Sequence, residues 1–479
     1  MKNNARFFTA VQVLCATAIL ALLCLFPGPT NADNGSDAID WEYQRAYQRG
    51  IEVMNWAIPA VSILNLRRAC FDLGGDFNTV YWISQPPTAK QETLTANNQT
   101  PYASIFLTTK DGPVILEIPP ATKEAAIFGS GVDVWQEPIV DMGPAGLDQG
   151  KGGRYLFLPP GFKGEIPEGM FPVKMHLYDI FIALRCIPLG KATFSDAAEY
   201  SKRINAYPLN AVPNPPKGEY IDMAGKHLPT LPTYDMSFFR TVAELMNHEP
   251  LLERDKVMGG MLASIGIEKD KPFTPDGTVK KALEQAAKDG FDYLEYMFET
   301  TGYSTQLYWK DRQWLGVREP SKEGFVFAEG DILLLDQRAA IFHWVTYVPR
   351  RLGKASAYLM TMRDDQGALL SAKGNYRLTV PADVPAKDFW SVIAYSKKTK
   401  SFIYNDEEQV GLSSYDKKSM HLNDDGSVDI YFGKTPPKGL EANWIPTAGE
   451  DFFLLFRFYG PEERYFDKSF KLPDVQKMR

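Results

Sequence analysis

Apolar and polar positions follow two different periods along this chain. In residues 41–58 the apolar side chains recur every three or four positions, which predicts an amphipathic helix with one buried face. Pro59 interrupts or ends that helix, although a helical continuation through Ala69 fits the sequence. In residues 101–188 runs of β-branched and aromatic residues are separated by turn signals such as Asp111-Gly112-Pro113, and this pattern predicts short strands.

The strands predicted in this first β-rich stretch cover residues 104–108, 114–118, 154–158 and 174–187. Short strands with no helices between them are typical of a β-sandwich or jelly roll. A second β-rich stretch begins at Gly324, with strands predicted at residues 325–327, 357–362, 376–380, 389–395, 428–432 and 452–458. The runs Asp364-Asp365-Gln366-Gly367 and Asn423-Asp424-Asp425-Gly426 fit hairpin turns.

Between the two stretches the helical period returns, at residues 194–204, 236–247, 251–265 and 279–298. Residues 207–233 hold six prolines and little periodicity, which predicts an extended linker. The predicted fold class is therefore mainly β with α additions, with two jelly-roll-like β-sandwich domains, an N-terminal helix and a central helical insertion. We divide the chain into a signal peptide (1–32), a β-sandwich with a leading helix (33–190), a linker with a helical insertion (191–323) and a second β-sandwich (324–479).

The first thirty or so residues have the order of a secretory signal. Lys2 and Arg6 precede an uncharged apolar run over residues 7–26, and a small residue, Ala32, ends the stretch before Asp33. We expect cleavage near Ala32 and a periplasmic or secreted protein. The alternative is an uncleaved membrane anchor ending near Phe26, because the run is close to the ~20 residues that span a bilayer. No later segment is long and apolar enough to cross a membrane, so after cleavage we expect no membrane association.

Charge and cysteine content narrow the classes of partner. The full chain has a net charge of −7, and loss of the two basic signal residues leaves 50 basic against 59 acidic residues. Without a basic stripe, nucleic acid is not an expected partner, and we expect no cofactor because nucleotide cofactors are scarce outside the cytoplasm. Cys70 and Cys186 remain after cleavage; they could form one disulfide in an oxidising compartment, but two buried free thiols are favoured.

Several motifs resemble known families of exported bacterial proteins. The segments Thr100-Pro101-Tyr102-Ala103-Ser104 and Gly112-Pro113-Val114-Ile115-Leu116-Glu117-Ile118-Pro119 resemble domain of unknown function 1254. Pieces of the last third, among them Phe389-Trp390-Ser391-Val392-Ile393-Ala394-Tyr395 and Phe456-Arg457-Phe458-Tyr459-Gly460-Pro461, resemble domain of unknown function 1214. The resemblance covers nearly all of the chain after the signal. It implies two jelly-roll-like sandwiches with helical additions and an exported protein, and it implies no reaction.

Candidate catalytic residues are His343 and the acidic cluster around Trp135. His343 lies among aromatic residues and could act as a base with a shifted pKa, although a buried histidine is more often part of the core. Asp133 and Asp141 flank Trp135, a composition that suits sugar binding or cleavage of a glycosidic bond by paired carboxylates. The alternative is a solvated loop around one buried tryptophan.

Other motifs are weaker. Ser414 and Lys417 match the Ser-x-x-Lys spacing but lack its companion motifs, and hairpin turns explain the aspartate runs better than calcium binding does, so no metal site is predicted. Polar and aromatic residues of the family motifs could line a cleft between the two sandwiches, where ligands often bind. The favoured alternative is that Tyr395 and the tryptophans Trp390 and Trp444 pack in the core and that Asn443 is a turn residue. The candidate ligand-binding residues are Asn98, Tyr102, Trp135, Tyr395, Asn443 and Arg457.

Two functions from different classes stay open. In the first, the protein binds a glycan, an envelope component or a small organic molecule between its two sandwiches, without chemistry. In the second, it is an extracytoplasmic hydrolase of glycosides or esters that uses His343 or the Asp133 cluster. The first is favoured because the sequence contains no recognisable pair of nucleophile and base. Since jelly-roll domains assemble readily, we also expect a homo-oligomer.

Overall fold

The structure, a computed structural model, describes residues 39–318, 325–346 and 356–478. The predicted signal peptide and its cleavage site lie outside these residues. Among the described helices, none combines the length and the apolar character that crossing a bilayer requires. The helices are α1 (Trp41–Phe71), α2 (Phe194–Ser201), α3 (Met236–His248), α4 (Lys256–Ala263), α5 (Gly277–Glu299), α6 (Leu335–Phe342) and α7 (Glu463–Phe466).

Helix α1 is the central element of the helical layer. It begins at the N-cap Asp40, whose carboxylate accepts hydrogen bonds from the backbone N–H groups of Glu42 and Tyr43. The helix continues through Pro59, where we expected an interruption or an end. Helices α3 to α6 pack against it, and Gln136 Nε2 donates to the Pro59 carbonyl at 2.8 Å. Packing on all sides therefore keeps the helix continuous where the local signal alone favours a break.

The first β-sandwich consists of two sheets. The strands are β1 (Val80–Trp82), β2 (Tyr102–Thr108), β3 (Val114–Ile118), β4 (Ala125–Asp133), β5 (Pro138–Met142), β6 (Gly153–Leu158), β7 (Met170–Lys174), β8 (Asp179–Pro188), β9 (Asn205–Pro208) and β10 (Tyr220–Asp222). A six-stranded sheet has the order β10-β1-β2-β8-β4-β5, and a four-stranded sheet has the order β7-β6-β3-β9. Their facing sides form one apolar core, with Ile105, Leu116 and Ile182 among its buried members.

The second β-sandwich repeats this arrangement. The remaining strands are β11 (Thr305–Leu307), β12 (Leu315–Val317), β13 (Ala328–Glu329), β14 (Ile332–Leu333), β15 (Ser356–Thr361), β16 (Tyr376–Val380), β17 (Ala386–Ser396), β18 (Gly411–Ser413), β19 (Val428–Gly433), β20 (Trp444–Pro446), β21 (Phe452–Pro461) and β22 (Gln476–Lys477). The six-stranded sheet has the order β11-β12-β15-β21-β17-β18 and the four-stranded sheet β20-β19-β16-β22, while β13 and β14 form a separate hairpin. The predicted fold class, two sandwiches with an N-terminal helix and central helices, is confirmed.

Other local predictions also differ from the structure. The proline-rich residues 207–233 were expected to form only a linker, but β10 lies within them and adds to the first sandwich in parallel with β1. Residues 325–327 were expected to form a strand, but they form a turn, and Phe327 has a left-handed φ of 53°. Phe325 and Phe327 are both buried against the second sandwich, so their apolar character reflects burial and carries no information about a strand.

The two cysteines are separate buried thiols. Cys70 lies at the end of α1 and Cys186 in the core of the first sandwich, and neither forms a disulfide. Burial raises the pKa of each thiol to about 12. The pair therefore behaves as small apolar core residues, the alternative that the sequence favoured.

Candidate functional site

Side chains of β21 alternate between the core and the outer face of the second sandwich. Phe456 points into the core, whereas Arg457 and Tyr459 point outward. The register partners of Arg457 are Tyr358 of β15 and Ser391 of β17, so these side chains share the outer face with it. One cation, two tyrosines and a serine therefore lie side by side on this sheet.

The first sandwich contributes the opposite side. Arg185 of β8 and Tyr102 of β2 are direct register partners, and Arg185 Nη2 donates to the Tyr102 hydroxyl at 2.6 Å. The Arg185 guanidinium carbon lies 5.3 Å from the centre of the Tyr102 ring and 5.4 Å from that of Tyr459. The outer faces of the two six-stranded sheets therefore meet here, with Arg185 between one ring from each sandwich.

The segment that leads into β2 closes one side of this arrangement. Arg457 Nη2 donates to the carbonyls of Thr95 at 3.0 Å and Ala96 at 3.3 Å. The same nitrogen contacts the Tyr395 hydroxyl at 2.6 Å, and that hydroxyl donates to the Ala96 carbonyl. Arg457 and Tyr395, from the second sandwich, are thus tied to a loop of the first. We call the six side chains that meet here, Tyr102, Arg185, Tyr358, Tyr395, Arg457 and Tyr459, the arginine–tyrosine cluster.

Three buried polar atoms around the cluster have no hydrogen-bond partner among the described residues. They are Nη1 of Arg457, the hydroxyl of Tyr459 and the hydroxyl of Ser391. Arg457 and Tyr459 are each 4 % exposed, and Ser391 is fully buried. A buried polar atom without a partner costs about 1–3 kcal/mol, and few occur in native structures. All three atoms lie on the same face of one sheet, which makes this face a candidate for ligand binding.

The two arginines give the cluster a positive charge that no acidic side chain of the described residues balances. Neither Arg185 nor Arg457 forms an ion pair with a carboxylate of the described residues, and the neighbours that act on their pKa values are tyrosines. Burial alone would raise the pKa of Tyr358, but the two guanidiniums and a hydrogen bond with Ser356 hold it below its usual value. Two desolvated cations favour a negative charge at this place, either a phenolate or a bound anion.

His343, a candidate from the sequence, lies in a different network. Its Nδ1 is 2.8 Å from the Tyr234 hydroxyl and its Nε2 is 2.8 Å from a carboxylate oxygen of Glu295. Burial lowers the pKa of His343, so the ring is neutral near pH 7. Lys400, which is 1 % exposed, pairs with the same oxygen of Glu295. Both ring nitrogens are therefore occupied, one by Tyr234 from the segment before α3 and the other by Glu295 of α5.

The acidic cluster of the sequence analysis divides between two faces of one sheet. Asp141 is the register partner of Ser130, whose hydroxyl donates to it at 2.7 Å. Asp133 lies three residues further along β4 and so faces the other side. Its carboxylate accepts the backbone N–H groups of Trp135 and Glu137, and burial together with Glu137 raises its pKa to about 8. The two aspartates therefore do not face a common ligand.

The remaining sequence candidates have local partners. Trp135 is buried against Trp56, with ring centres 4.4 Å apart. Asn443 joins two carbonyls and one N–H group within the second sandwich. Asn98 accepts from Gln99 at 2.8 Å, four residues before Tyr102. Of the predicted residues, Tyr102, Tyr395 and Arg457 converge, while His343, Asp133, Asp141, Trp135 and Asn443 lie elsewhere; all of these roles stay predictions.

A cluster that the sequence analysis missed lies at the end of α3. Ligand atoms of Asp179, His248 and Glu249 lie within 4.8 Å of one another, the one such group of metal-ligating side chains among the described residues. Asp179 already pairs with Arg67, and each oxygen of Glu249 accepts a backbone N–H group from residues 178–179. Carboxylate oxygens that already accept hydrogen bonds from an arginine or from backbone N–H groups are poorly placed to coordinate a metal ion. We therefore interpret this group as a junction that holds α3 against β8.

Comparison with known families gives two matches, both to families described as proteins of unknown function. The profile of DUF1254 matches residues 77–208, and that of DUF1214 matches residues 355–463. The first match includes Tyr102 and Arg185, and the second includes Tyr358, Tyr395, Arg457 and Tyr459. No curated protein matches the chain.

One solved structure has a similar overall fold. The VPA0106 protein from Vibrio parahaemolyticus is similar with a TM-score of 0.54 and 17% identity, covering 91% of this chain and 100% of that one. An uncharacterized protein from Burkholderia cenocepacia has a TM-score of 0.39 and 12% identity, covering 91% of this chain and 94% of its own. At such low identity the first similarity extends to the fold alone.

Proposed function

Because the chain belongs to the proteins that carry DUF1254 and DUF1214 in tandem, we propose that the junction of these two domains binds a small organic anion. The ligand group would be a carboxylate or a similar oxyanion, received by Arg185 and Arg457 between the outer faces of the two six-stranded sheets. One observation carries the proposal: Arg457, Tyr459 and Ser391 keep buried polar atoms without partners among the described residues, beside two arginines that lack an acidic partner.

The chemistry of the cluster favours an anion over a neutral sugar. A guanidinium binds a carboxylate with two parallel hydrogen bonds, and hydroxyls such as those of Tyr459 and Ser391 can donate to the same oxygens. The rings of Tyr102 and Tyr459 provide flat apolar surface for the body of an organic molecule. A neutral glycan would leave both guanidinium charges uncompensated. The order of charge and apolar residues before Asp33 supports export, so this binding would take place in the periplasm or outside the cell.

Isothermal titration calorimetry with benzoate and with its neutral amide, benzamide, tests the proposal. We expect benzoate to bind and benzamide not to bind. Arg185→Gln should weaken benzoate binding by about tenfold or more, because a hydrogen bond to a charged group contributes about 1.5–3 kcal/mol. The matched control is Arg377→Gln, which removes an exposed arginine of β16 that pairs with Asp429 at 3.6 Å. Equal affinity for acid and amide, or an equal effect of both variants, would refute an anion site.

The hydrolase alternative stays a proposal of lower support. Its candidate base, His343, has both ring nitrogens engaged, and its candidate carboxylates face opposite sides of a sheet. A screen with chromogenic esters and glycosides tests it. Turnover that disappears in His343→Ala or Asp133→Asn, with folding intact by circular dichroism, would favour a hydrolase over a binding protein.

A further inference from the structure

Tyr358 faces both arginines of the arginine–tyrosine cluster. Arg185, from the first sandwich, forms a hydrogen bond with the Tyr358 hydroxyl. Arg457, the register partner of Tyr358 on β21, places its guanidinium carbon 5.7 Å from the centre of the Tyr358 ring. The Ser356 hydroxyl lies 2.8 Å from the Tyr358 hydroxyl oxygen. Positive charge from both sandwiches therefore converges on one weakly acidic hydroxyl.

The two buried tyrosines of the cluster are less able to lose a proton. Tyr395 donates its proton to the Ala96 carbonyl, and burial raises its pKa to about 12. The Tyr459 hydroxyl has no hydrogen-bond partner among the described residues that could stabilise a phenolate, and burial raises its pKa as well. For Tyr358, in contrast, burial is outweighed by the charges of the two guanidiniums, which lower the pKa.

The other charged and titratable groups of the cluster come from four strands. They are Tyr102 of β2, Arg185 of β8, Tyr395 of β17, and Arg457 and Tyr459 of β21. The Tyr102 hydroxyl accepts two hydrogen bonds, both from Arg185, whereas Tyr358 faces both guanidiniums. A phenolate at Tyr358 therefore gains the most from the positive charge of the cluster.

The part of the cluster with exposed surface includes this hydroxyl-bearing side chain. Tyr102, Arg185 and Tyr358 are half-buried, whereas the other three members are buried. An anion that arrives from the solvent therefore meets Arg185 beside Tyr358. Proton exchange between Tyr358 and the solvent takes place on the same side.

A phenolate and a bound carboxylate would compensate the same positive charge. Both are oxyanions that accept hydrogen bonds from a guanidinium. When both are present they repel each other, because like charges at short range disfavour the ionised form. A bound anion therefore raises the pKa of Tyr358, and the phenolate takes up a proton.

We infer that the Tyr358 hydroxyl is a proton switch for the anion site, an inference that rests on the function proposed above. With the site empty and the pH high, Tyr358 releases its proton to the solvent and its phenolate is the counter-ion of Arg185 and Arg457. When an organic anion binds these arginines, the phenolate takes a proton back from the solvent. Because ligand and proton bind together, affinity falls as rising pH ionises Tyr358, and the site releases its ligand at alkaline pH.

Ultraviolet absorbance titration of the ligand-free protein, without its predicted signal peptide, tests the ionisation of Tyr358, because tyrosinate and tyrosine absorb differently. We expect the wild type to contain a tyrosine that titrates below the usual value of about 10, and Tyr358→Phe to lose that step. Ser356→Ala removes a hydrogen bond to the phenolate and should move the step to higher pH. The matched control is Tyr431→Phe, which removes a half-buried tyrosine of β19 whose pKa burial raises, and it should keep the step.

Calorimetric titration with benzoate, in pairs of buffers that differ in their enthalpy of ionisation, counts the protons taken up on binding. Above the ionisation step we expect the wild type to take up about one proton for each benzoate, and its affinity to fall by up to about tenfold for each pH unit. Tyr358→Phe should take up none, and its affinity should not depend on pH. The control Tyr431→Phe should behave like the wild type.

The outcomes separate this inference from the proposed function. Benzoate that binds without proton uptake at any pH overturns the inference and leaves the anion site standing. Uptake that disappears in Tyr102→Phe but persists in Tyr358→Phe overturns it too, because the proton then belongs to another tyrosine. If benzoate does not bind at all, the proposed function is wrong and the inference falls with it. If Tyr358→Phe does not fold, the proton count of the wild type and the shift in Ser356→Ala decide the outcome.

Discussion

Replacing Lys400 with methionine removes a cation from the interior of the protein. The Lys400 ammonium pairs with Glu295, donates to the Lys397 carbonyl at 2.6 Å and lies 4.8 Å from the centre of the Phe298 ring. Methionine keeps most of the apolar stem but none of these polar contacts. Glu295 then retains only His343 as its partner in this network.

The expected loss of stability follows from how deeply the Lys400–Glu295 pair is buried. Breaking a buried ion pair by removing one partner costs about 3–5 kcal/mol, because the other charge stays behind without compensation. The Glu295 side chain is 22% exposed, so water can solvate part of its charge. We therefore expect Lys400→Met to lower the free energy of unfolding by about 2–3 kcal/mol. The control Lys397→Met breaks a more exposed pair with Glu299 and should cost at most about 1 kcal/mol.

Urea unfolding followed by tryptophan fluorescence measures both variants, and NMR titration of the His343 ring gives a second readout. Burial lowers the pKa of His343, and the positive charge of Lys400 lowers it further, so Lys400→Met should raise that pKa. Equal costs for Lys400→Met and Lys397→Met, together with an unchanged His343 titration, would refute this reasoning.

Two further substitutions test other parts of the structure. Burial raises the pKa of Asp133 to about 8, so the folded protein keeps a proton that the unfolded chain loses near pH 4. The stability of the wild type therefore falls as the pH rises between these two values, and Asp133→Asn should remove that dependence. Parallel pH profiles of the two proteins in urea unfolding would contradict this expectation. Asn443→Ala removes hydrogen bonds to His421 and Asp429 and should lower the free energy of unfolding by about 2–4 kcal/mol. If its melting temperature falls no further than that of an alanine variant at an exposed site, the second sandwich does not need this amide.

Local patterns were sufficient for the strands whose periodicity is regular. Val428, Ile430 and Phe432 alternate with polar residues, and the strand β19 is found where the alternation predicts it. Strand β4 gave no such signal, because it contains Gly129 and Gly131. A Cβ atom at Gly129 would lie 2.0 Å from the Ala183 carbonyl oxygen, so glycine is required there by the close approach of β8. That requirement arises between residues more than fifty positions apart.

In the candidate site, too, the sequence identified some residues and missed others. Tyr102, Tyr395 and Arg457 were identified from the sequence because they belong to the motifs of the two families, but Arg185 and Ser391 were missed. A charged residue within an apolar strand, as in Leu184-Arg185-Cys186, was the available signal for Arg185. For Ser391 there was none, since a serine in a strand is unremarkable until its hydroxyl is found buried without a partner.

The sequence by itself determined the class of fold, because period-2 and period-3.6 patterns are local consequences of backbone geometry. It also determined the likeness to two families and the acidic balance of the chain. Only the tertiary structure decided which charges meet. Arg185 lies in one sandwich and Arg457 in the other, and their proximity depends on how two sheets pack through their outer faces.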